Sequence, residues 1–292
     1  MPRQDDERMA LSGALHLFPN GALFSGTDMV NEPHRHFTSS ILVGLEEPIL
    51  VKTEATGEDW VPYDGVVVAP NVEQQLDARG KGVATLQVDP EGDEFSRIAN
   101  VFREGPVYVL PPDGVKALRT ALAAMTESAR SAFQVWSLAI DELAKHGEPR
   151  RPLDARIVKV LAIIKEDFLS PPPAGKLAAA VGLSAGRLIH LFTREMGLPI
   201  RRYILWLRLR DVLISAVAGS TLTEAAHHAG FSDSAHLSRT FRGMFGFPPS
   251  AIVQGGRVKL SYDLETSLAQ NSPHRLLEVE RFTRDRPGTT PR

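Results

Sequence analysis

Short apolar runs, separated by residues that favour turns, follow one another through the first third of the chain. The turn residues are grouped at Glu46–Pro48, Thr56–Glu58 and Arg79–Gly82. Runs of this length and spacing predict an antiparallel β barrel or sandwich between Leu15 and about Leu110. The runs are Ser40–Leu45, Pro48–Lys52, Gly65–Ala69, Val83–Val88 and Val107–Leu110.

The period of the apolar positions changes to that of a helix after the last of these runs. From Val115 to Lys145 it predicts one or two helices. The segment Gly147–Pro152 interrupts the pattern with a glycine and two prolines, which is typical of a linker. Helical spacing then returns in six further segments. They are Leu153–Leu169, Gly175–Val181, Ser184–Met196, Pro199–Val217, Leu222–Ala229 and Asp233–Phe245.

The fold class predicted from these patterns is α+β, with two folded domains. Residues 1–149 form a β-rich domain that ends in helices. Residues 150–255 form an all-α domain. Residues 256–292 form a polar tail, which we expect to be disordered over Thr283–Arg292.

An internal repeat is the most informative feature of the helical half. The segment Ala178–Pro199 recurs as Ala225–Pro248, with one added residue in the second copy. Each copy has small residues on a short helix, then a glycine, an apolar residue, and a Ser or Asp able to cap the next helix. This order is typical of a helix-turn-helix unit, in which small residues let two helices cross closely. The alternative is a helical hairpin that only packs.

The second helix of each copy divides into an apolar face and a mixed face. We expect the apolar faces in the core; they consist of Leu188, Leu191, Phe192 and Met196 in the first copy, and Leu237, Thr240, Phe241 and Met244 or Phe245 in the second. The mixed faces carry small residues and hydrogen-bond donors, which suit a DNA major groove. The joining helix, Pro199–Val217, is about 28 Å long at 1.5 Å per residue and could set the spacing of the two units.

The two halves of the chain differ in net charge. Residues 1–149 hold 12 Lys and Arg against 23 Asp and Glu, a net charge of −11, whereas residues 150–257 hold 15 against 7, a net charge of +8. A basic domain joined to an acidic one suggests a polyanion-binding module whose partner domain binds something else. A solvated basic surface is the alternative.

Composition removes several classes of function. The chain has no cysteine, which excludes disulfides and thiolate chemistry. The polar N-terminus and the lack of a long apolar stretch argue against export and membrane insertion, so we expect a cytoplasmic protein. No nucleophile elbow or phosphate-binding loop is present, and we expect no catalytic residue and no cofactor.

The segment Leu153–Val253 resembles the DNA-binding domain of the AraC/XylS family of bacterial transcription regulators. Its densest matches are VGLSAGRLIHLFTREMGLPIRRYI and AHHAGFSDSAHLSRTFRGMFGFPPSAI. The resemblance implies sequence-specific binding to double-stranded promoter DNA. It further implies an N-terminal cupin-like domain that binds a small-molecule effector or forms a homodimer, and contact with RNA polymerase. The base-contacting positions that it implies are Gly186, Ile189 and His190 in the first unit, and Ala235, His236 and Arg239 in the second.

Departures from the family pattern suggest that the two units differ. Gly186 and Ile189 stand where many relatives have larger or polar groups, so we expect the first unit to rely on apolar contact and shape. His236 and Arg239 would then supply most direct hydrogen bonds to bases. Further predicted DNA contacts are Arg187, Arg194, Arg242, Arg201 and Arg202. On the joining helix, Arg208 and Arg210 are, like Arg201 and Arg202, candidate phosphate contacts or solvated residues.

The motif Pro33–His36 is the sharpest local feature of the N-terminal half. On a strand His34 and His36 point to one face, as the two imidazoles of a cupin metal site do. The later strand carries Glu73 where another histidine is expected, so the ligand set is incomplete. We favour two hydrogen-bonded histidines over a metal site, and predict an effector pocket near His34, His36, Trp60, Tyr63 and Glu73. A cupin-type metal-dependent enzyme with a helical appendage is the alternative function.

Overall fold

A computed structural model describes residues 11–146, 149, 151–253 and 257–262 of the 292-residue chain. Half of the predicted linker and the segment Thr283–Arg292 lie outside the described residues. Within the described ranges, no helix combines the length and the apolar character that crossing a membrane requires.

The N-terminal half folds as two β sheets. The strands are β1 Ser12–Phe18, β2 Gly21–Thr27, β3 His34–Arg35, β4 Ser39–Gly44, β5 Ile49–Thr53, β6 Val61–Tyr63, β7 Gly65–Val68, β8 Glu73–Asp77, β9 Gly82–Val88, β10 Val107–Val109 and β11 Val258–Tyr262. One sheet has seven strands in the order β10-β7-β4-β9-β2-β1-β11, and the other has four in the order β3-β8-β5-β6. All pairs are antiparallel except β1 with β11.

Successive residues of the seven-stranded sheet enter two different cores, as the period of a strand requires. On β4, Ile41 and Val43 join a cluster formed with the N-terminal helices, whereas Leu42 joins a cluster on the opposite face. The helices over the first face are α1 Asp93–Ile98, α2 Pro112–Ala124 and α3 Ala129–Ala144, with a 3-10 turn at Ala99–Phe102. The predicted order of strands followed by helices is therefore confirmed.

The C-terminal half is helical, and the six predicted helices begin and end within three residues of the predicted positions, whereas a further short helix, Ser250–Val253, was not predicted. The apolar stripe predicted for the first of them is buried, with Ile157 and Ile164 at 0% exposure. The helices are α4 Ala155–Glu166, α5 Ala174–Ala180, α6 Ala185–Met196, α7 Ile200–Val217, α8 Leu222–His228, α9 Ser234–Phe245 and α10 Ser250–Val253.

The two halves share one hydrophobic cluster. It continues from strand residues such as Leu42 and Leu76 into α7 and α9, through Trp206 and Phe241. Phe37 contacts the rings of both Tyr203 and Trp206, at centroid distances of 5.6 and 5.8 Å. The helical half therefore packs against the side of the seven-stranded sheet opposite α1–α3.

Strand β11 differs from the sequence prediction, which placed these residues in a polar tail. Val258 is buried, and the strand runs parallel to β1 with Leu15 opposite Leu260. His16 Nδ1 lies 2.6 Å from Ser261 Oγ. Five residues of mixed polarity are too short a pattern to predict a strand whose partner lies about 245 residues earlier in the chain. The pairing ties the end of the helical half to the edge of the seven-stranded sheet.

Candidate nucleic-acid interface

The turns of both helix-turn-helix units have the predicted backbone. Gly182 and Gly230 have φ of 67° and 74°, in the left-handed region that glycine adopts at little cost. The next helices are capped by Ser184, which accepts from the Arg187 N–H, and by Asp233, which accepts from the His236 N–H. These interactions fix where α6 and α9 begin, and so which of their side chains face outward.

The inner faces of α6 and α9 pack as predicted. Leu188 and Phe192 of α6 are 0% exposed, and Leu237 and Phe241 of α9 are 1% and 0% exposed. Thr240 and Phe245 are only half-buried. The outer faces of both helices consequently turn to solvent.

All but one of the predicted DNA-contacting residues are exposed. Gly186, Ile189 and His190 lie together on the outer face of α6, and Ile189 is one of the few large apolar side chains at the surface, 46% exposed. Ala235 and Arg239 lie on the corresponding face of α9 and are also exposed. His236 is half-buried, because its ring packs edge-on against Phe231 at a centroid distance of 5.2 Å and its Nδ1 lies 3.3 Å from Ser232 Oγ.

Exposed arginines surround these two faces, and two of them have acidic neighbours. Arg194 lies 3.2 Å from the buried carboxylate of Glu195, and Arg242 lies 3.5 Å from Glu32 of the N-terminal half. The other exposed arginines are Arg187, Arg201 and Arg202.

The sequence suggested two further arginines of α7 as phosphate contacts or solvated residues. In the structure both instead bind groups of the protein itself. Arg208 donates to the carbonyl oxygens of Gly230 and Leu169, both at 2.9 Å. Arg210 forms an ion pair with Asp89 at 2.7 Å, and its side chain is only 11% exposed. Their partners come from segments that the helical period alone does not reveal.

His34 and His36 are buried and bonded to each other, as we favoured over a metal site. Their Nε2 atoms lie 2.9 Å apart, and His34 Nδ1 lies 2.7 Å from the Glu32 carbonyl oxygen. Burial lowers the pKa of His34 to about 4, and burial together with the neighbouring His34 lowers the pKa of His36 well below its usual range. Both are therefore neutral at pH 7. Among the described residues, no cluster of three His, Asp or Glu side chains could hold a metal ion.

The bonding pattern determines which nitrogen of each ring carries the proton. The Glu32 carbonyl can only accept, so His34 carries its proton on Nδ1 and presents a lone pair on Nε2. His36 must then donate from its own Nε2, which leaves His36 Nδ1 as an acceptor. That Nδ1 atom is buried and has no partner among the described residues.

The five residues of the predicted effector pocket do not come together. Trp60 and Glu73 are exposed, and Glu73 pairs with Arg35 at 3.4 Å. Tyr63 lines a separate, shallow groove beside α2. Glu73 faces out because β8 alternates, which turns Gln74 inward instead. Of the predicted set, His36 alone lines the apolar cavity described next.

That cavity, of about 70 Å³, lies between the strands and the C-terminal helices. The strands contribute apolar side chains such as Leu15 and Phe24, and the helices contribute Trp206, Arg210 and Phe245. Sequence reasoning missed these helix residues. A signal was present in the sequence, because apolar residues lie around most of the circumference of α7, which is typical of a helix packed on two sides.

Comparison with known proteins agrees with the interpretation of the repeat as helix-turn-helix units. Residues 177–255 match the family described as a helix-turn-helix domain. The HTH-type transcriptional activator RhaS of Escherichia coli O157:H7 (strain EC4115 / EHEC) is 34% identical over 104 residues, which are 35% of this chain and 37% of RhaS. The uncharacterized HTH-type transcriptional regulator YidL of Escherichia coli (strain K12) is 30% identical over 105 residues, 35% of each chain. The chain thus matches little more than a third of the length of these relatives.

Solved structures extend the likeness to both halves. An apo variant of ToxT from Vibrio cholerae strain SCE256 has a TM-score of 0.57 with 9% identity, over 79% of this chain and 96% of ToxT. Wild-type ToxT from the same strain, bound to an unsaturated fatty acid, has a TM-score of 0.55 with 12% identity, over 79% and 92%. At this identity the likeness shows the fold alone.

A β-rich domain followed by two helix-turn-helix units on one long helix defines a two-domain helix-turn-helix protein. Within that class, the paired units and the identity to RhaS over 104 residues make the helical domain similar to those of HTH-type transcriptional regulators.

Proposed function

We propose that this chain is a sequence-specific DNA-binding regulator of transcription. The observation that carries the proposal is the pair of exposed outer faces on α6 and α9, held by equivalent caps and turns within residues 150–257, whose net charge is +8. Each face has a small residue near its start, Gly186 or Ala235, where a helix must approach base edges closely. A regulator of this kind acts on the bacterial chromosome, so we also propose that it works in the cytoplasm.

The contacts divide by chemistry into base-reading and phosphate-binding groups. We assign base contacts to Gly186, Ile189 and His190 on α6 and to Ala235, His236 and Arg239 on α9. Arg239 suits a bidentate contact with guanine, and Ile189 suits contact with a thymine methyl group. The arginines assigned to phosphates or flanking positions are Arg187, Arg194, Arg201, Arg202 and Arg242.

We further propose that the cavity between the halves receives a small-molecule effector. Its walls come from β strands on one side and from α7 and α9 on the other, so an occupant touches both halves at once. A ligand that prefers one arrangement of α7 against the strands would change the spacing of the recognition helices, and so the affinity for DNA. The ToxT structure with a bound fatty acid is a precedent for ligand binding in this architecture. By resemblance to the AraC/XylS family, we also propose that the chain forms a homodimer and contacts RNA polymerase.

The described residues do not favour a cupin-type metal-dependent enzyme. The His34 and His36 nitrogens that would bind a metal bond to each other, and the named relatives are transcription regulators.

Genomic footprinting with the purified chain, followed by fluorescence anisotropy on the recovered site and a scrambled duplex, tests the proposal. Binding should weaken steeply with salt, because arginines displace counterions from phosphates. Arg239→Ala should weaken the free energy of binding to the recovered site by about 1 to 3 kcal/mol and relax base preference at one position. Arg201→Ala, the control, should weaken binding to both duplexes alike. Affinity that does not change between low and physiological salt would overturn the proposal.

A further inference from the structure

The cavity between the halves contains three polar atoms without partners. They are His36 Nδ1, Gln74 Oε1 and Trp206 Nε1, each buried and without a hydrogen bond among the described residues. The three side chains are 8%, 5% and 5% exposed and all line the cavity. Buried polar groups are almost always paired in folded proteins, so three unpaired ones on residues that line one cavity indicate a group that binds there.

To pair with these three atoms, the bound group must both accept and donate hydrogen bonds. Trp206 Nε1 can only donate. His36 Nδ1 can only accept, because the Nε2 proton of His36 is donated to His34. Gln74 Oε1 also accepts, since the amide nitrogen of Gln74 donates to Ser40 Oγ at 2.9 Å and Ser40 Oγ donates in turn to Gln87 Oε1 at 3.1 Å. A hydroxyl or an amide satisfies a donor and an acceptor together, whereas a carboxylate can only accept.

The electrostatics of the cavity disfavour a charged occupant. Arg210 is the one cation among its lining residues, and its Nη atoms donate to Asp89 Oδ2 and the Phe18 carbonyl oxygen, both at 2.7 Å. Burial raises the pKa of Asp89 to about 6, so at pH 7 the carboxylate is still mainly ionised and balances Arg210. A bound anion would have to displace Asp89, which is 0% exposed.

The size of the cavity limits the occupant. One water needs about 10–15 Å³ of such volume, so 70 Å³ holds about five. The rest of the lining is largely apolar, with Leu15, Phe24, Met29 and Leu76 on the strands and Leu213 on α7. A compact apolar body with one polar end fits these walls.

We propose that the cavity binds a small uncharged molecule with a hydroxyl or amide group at one end of an apolar body. The polar end accepts from Trp206 Nε1 and donates to His36 Nδ1 or Gln74 Oε1. This proposal rests on the effector role proposed above and specifies the chemical class of the effector. It distinguishes this cavity from one that takes a fatty acid through its carboxylate.

The test uses the full chain with ¹⁵N-labelled indoles, because its three tryptophans give three indole N–H signals in a two-dimensional NMR spectrum. Titration with phenol, toluene and benzoate compares three small aromatic probes: hydroxyl-bearing, apolar and anionic. Phenol should shift the Trp206 signal and bind about fivefold more tightly than toluene, the worth of about one hydrogen bond. Benzoate should bind more weakly than phenol.

Variants locate the contact. Trp206→Phe keeps an aromatic ring but removes the donor, and should weaken phenol binding about fivefold while leaving toluene binding unchanged. Gln74→Leu removes an acceptor and provides a second measurement if Trp206→Phe does not fold. Trp60→Phe, the matched control at an exposed tryptophan, should change neither affinity.

Three outcomes would overturn the proposal. They are equal binding of phenol and toluene, tighter binding of benzoate, and no shift of the Trp206 signal by any probe, which would mean that water alone fills the cavity. Anisotropy with DNA on the same preparation separates this result from the proposed function. If DNA binds and phenol does not, only the ligand class is wrong. If phenol binds and DNA does not, the regulator proposal fails while the cavity assignment stands.

Discussion

Arg210 Nη1 and Asp89 Oδ2 lie 2.7 Å apart and join α7 to the residue after β9, 121 positions earlier in the chain. The Asp89 side chain is 0% exposed and that of Arg210 11%. A second acidic residue of the same loop, Glu91, accepts from the Tyr203 hydroxyl at 2.7 Å and pairs with Lys165 at 3.0 Å. The basic domain is therefore attached to the acidic one through buried, specific charge pairs.

Removing one partner of this pair should destabilise the protein strongly. Arg210→Met leaves a buried, unpaired carboxylate and should lower the free energy of unfolding by about 3–5 kcal/mol. Adding Asp89→Leu to that variant should recover part of the loss, because no charge is then buried alone. Urea unfolding measures both. Arg201→Met, at an exposed position of the same helix, should stay within about 0.5 kcal/mol of the parent. Equal effects of Arg210→Met and Arg201→Met would contradict the structural role of the pair.

The two C-terminal caps of the recognition helices offer a matched test of domain docking. Gly197 and Gly246 occupy equivalent places in the repeat, with φ of 75° and 76°. A Cβ at Gly197 would meet no atom within 4 Å, whereas one at Gly246 would lie 2.5 Å from the Glu32 carbonyl oxygen and 2.7 Å from His34 Nδ1.

Alanine at each position should separate backbone strain from docking. Gly197→Ala should lower the free energy of unfolding by about 1 kcal/mol, because alanine is strained in the left-handed conformation. Gly246→Ala should cost more and should also push the second unit away from the sandwich, because Glu32 N–H donates to the Gly246 carbonyl at 2.8 Å. Thermal unfolding measures the cost, and limited proteolysis between the halves measures the docking. Equal losses and equal proteolysis for the two variants would show that the Gly246 contact is unimportant.

Features that depend on local pattern were predictable, and features that depend on docking were not. The turn glycines, the caps Ser184 and Asp233, and the buried Leu188 and Leu237 all follow from helical period and capping chemistry within one repeat. The burial of Arg210 depends on Asp89, which no local period connects to it. Likewise, β11 exists because the edge of β1 is available. One-dimensional patterns show which face of an element is apolar, but not which distant surface covers it.

Acid should destabilise the contact between the halves through the buried histidines. In the folded chain the pKa of His34 is lowered to about 4 and the pKa of His36 is also lowered, against about 6.5 for each when unfolded. As pH falls from 6.5 to 4, the unfolded chain takes up protons that the folded chain excludes, so stability falls, by up to about 1.4 kcal/mol per pH unit for each histidine. Asp89, with its pKa raised to about 6, has the opposite effect below that pH, but it is one group against two.

Urea unfolding between pH 7 and pH 4.5 measures this slope. The double variant His34→Gln and His36→Gln should flatten it, because neither side chain then titrates. His227→Gln, at an exposed histidine of α8, should leave the slope as it is in the parent. A parent chain equally stable at both ends of this pH range would show that the two histidines are not held neutral.

The exposed Ile189 provides a test of how the first recognition helix reads DNA. If its side chain meets a thymine methyl group, Ile189→Ala should weaken binding to the recovered site by about 1–2 kcal/mol. No charge is removed, so the salt dependence should not change. The folded state should survive, because the side chain is 46% exposed. Val158→Ala, at an exposed valine of α4 that is 53% exposed, is the control and should bind as the parent does. An Ile189→Ala variant with parental affinity for the recovered site would leave α6 with only a positioning role and assign base reading to α9.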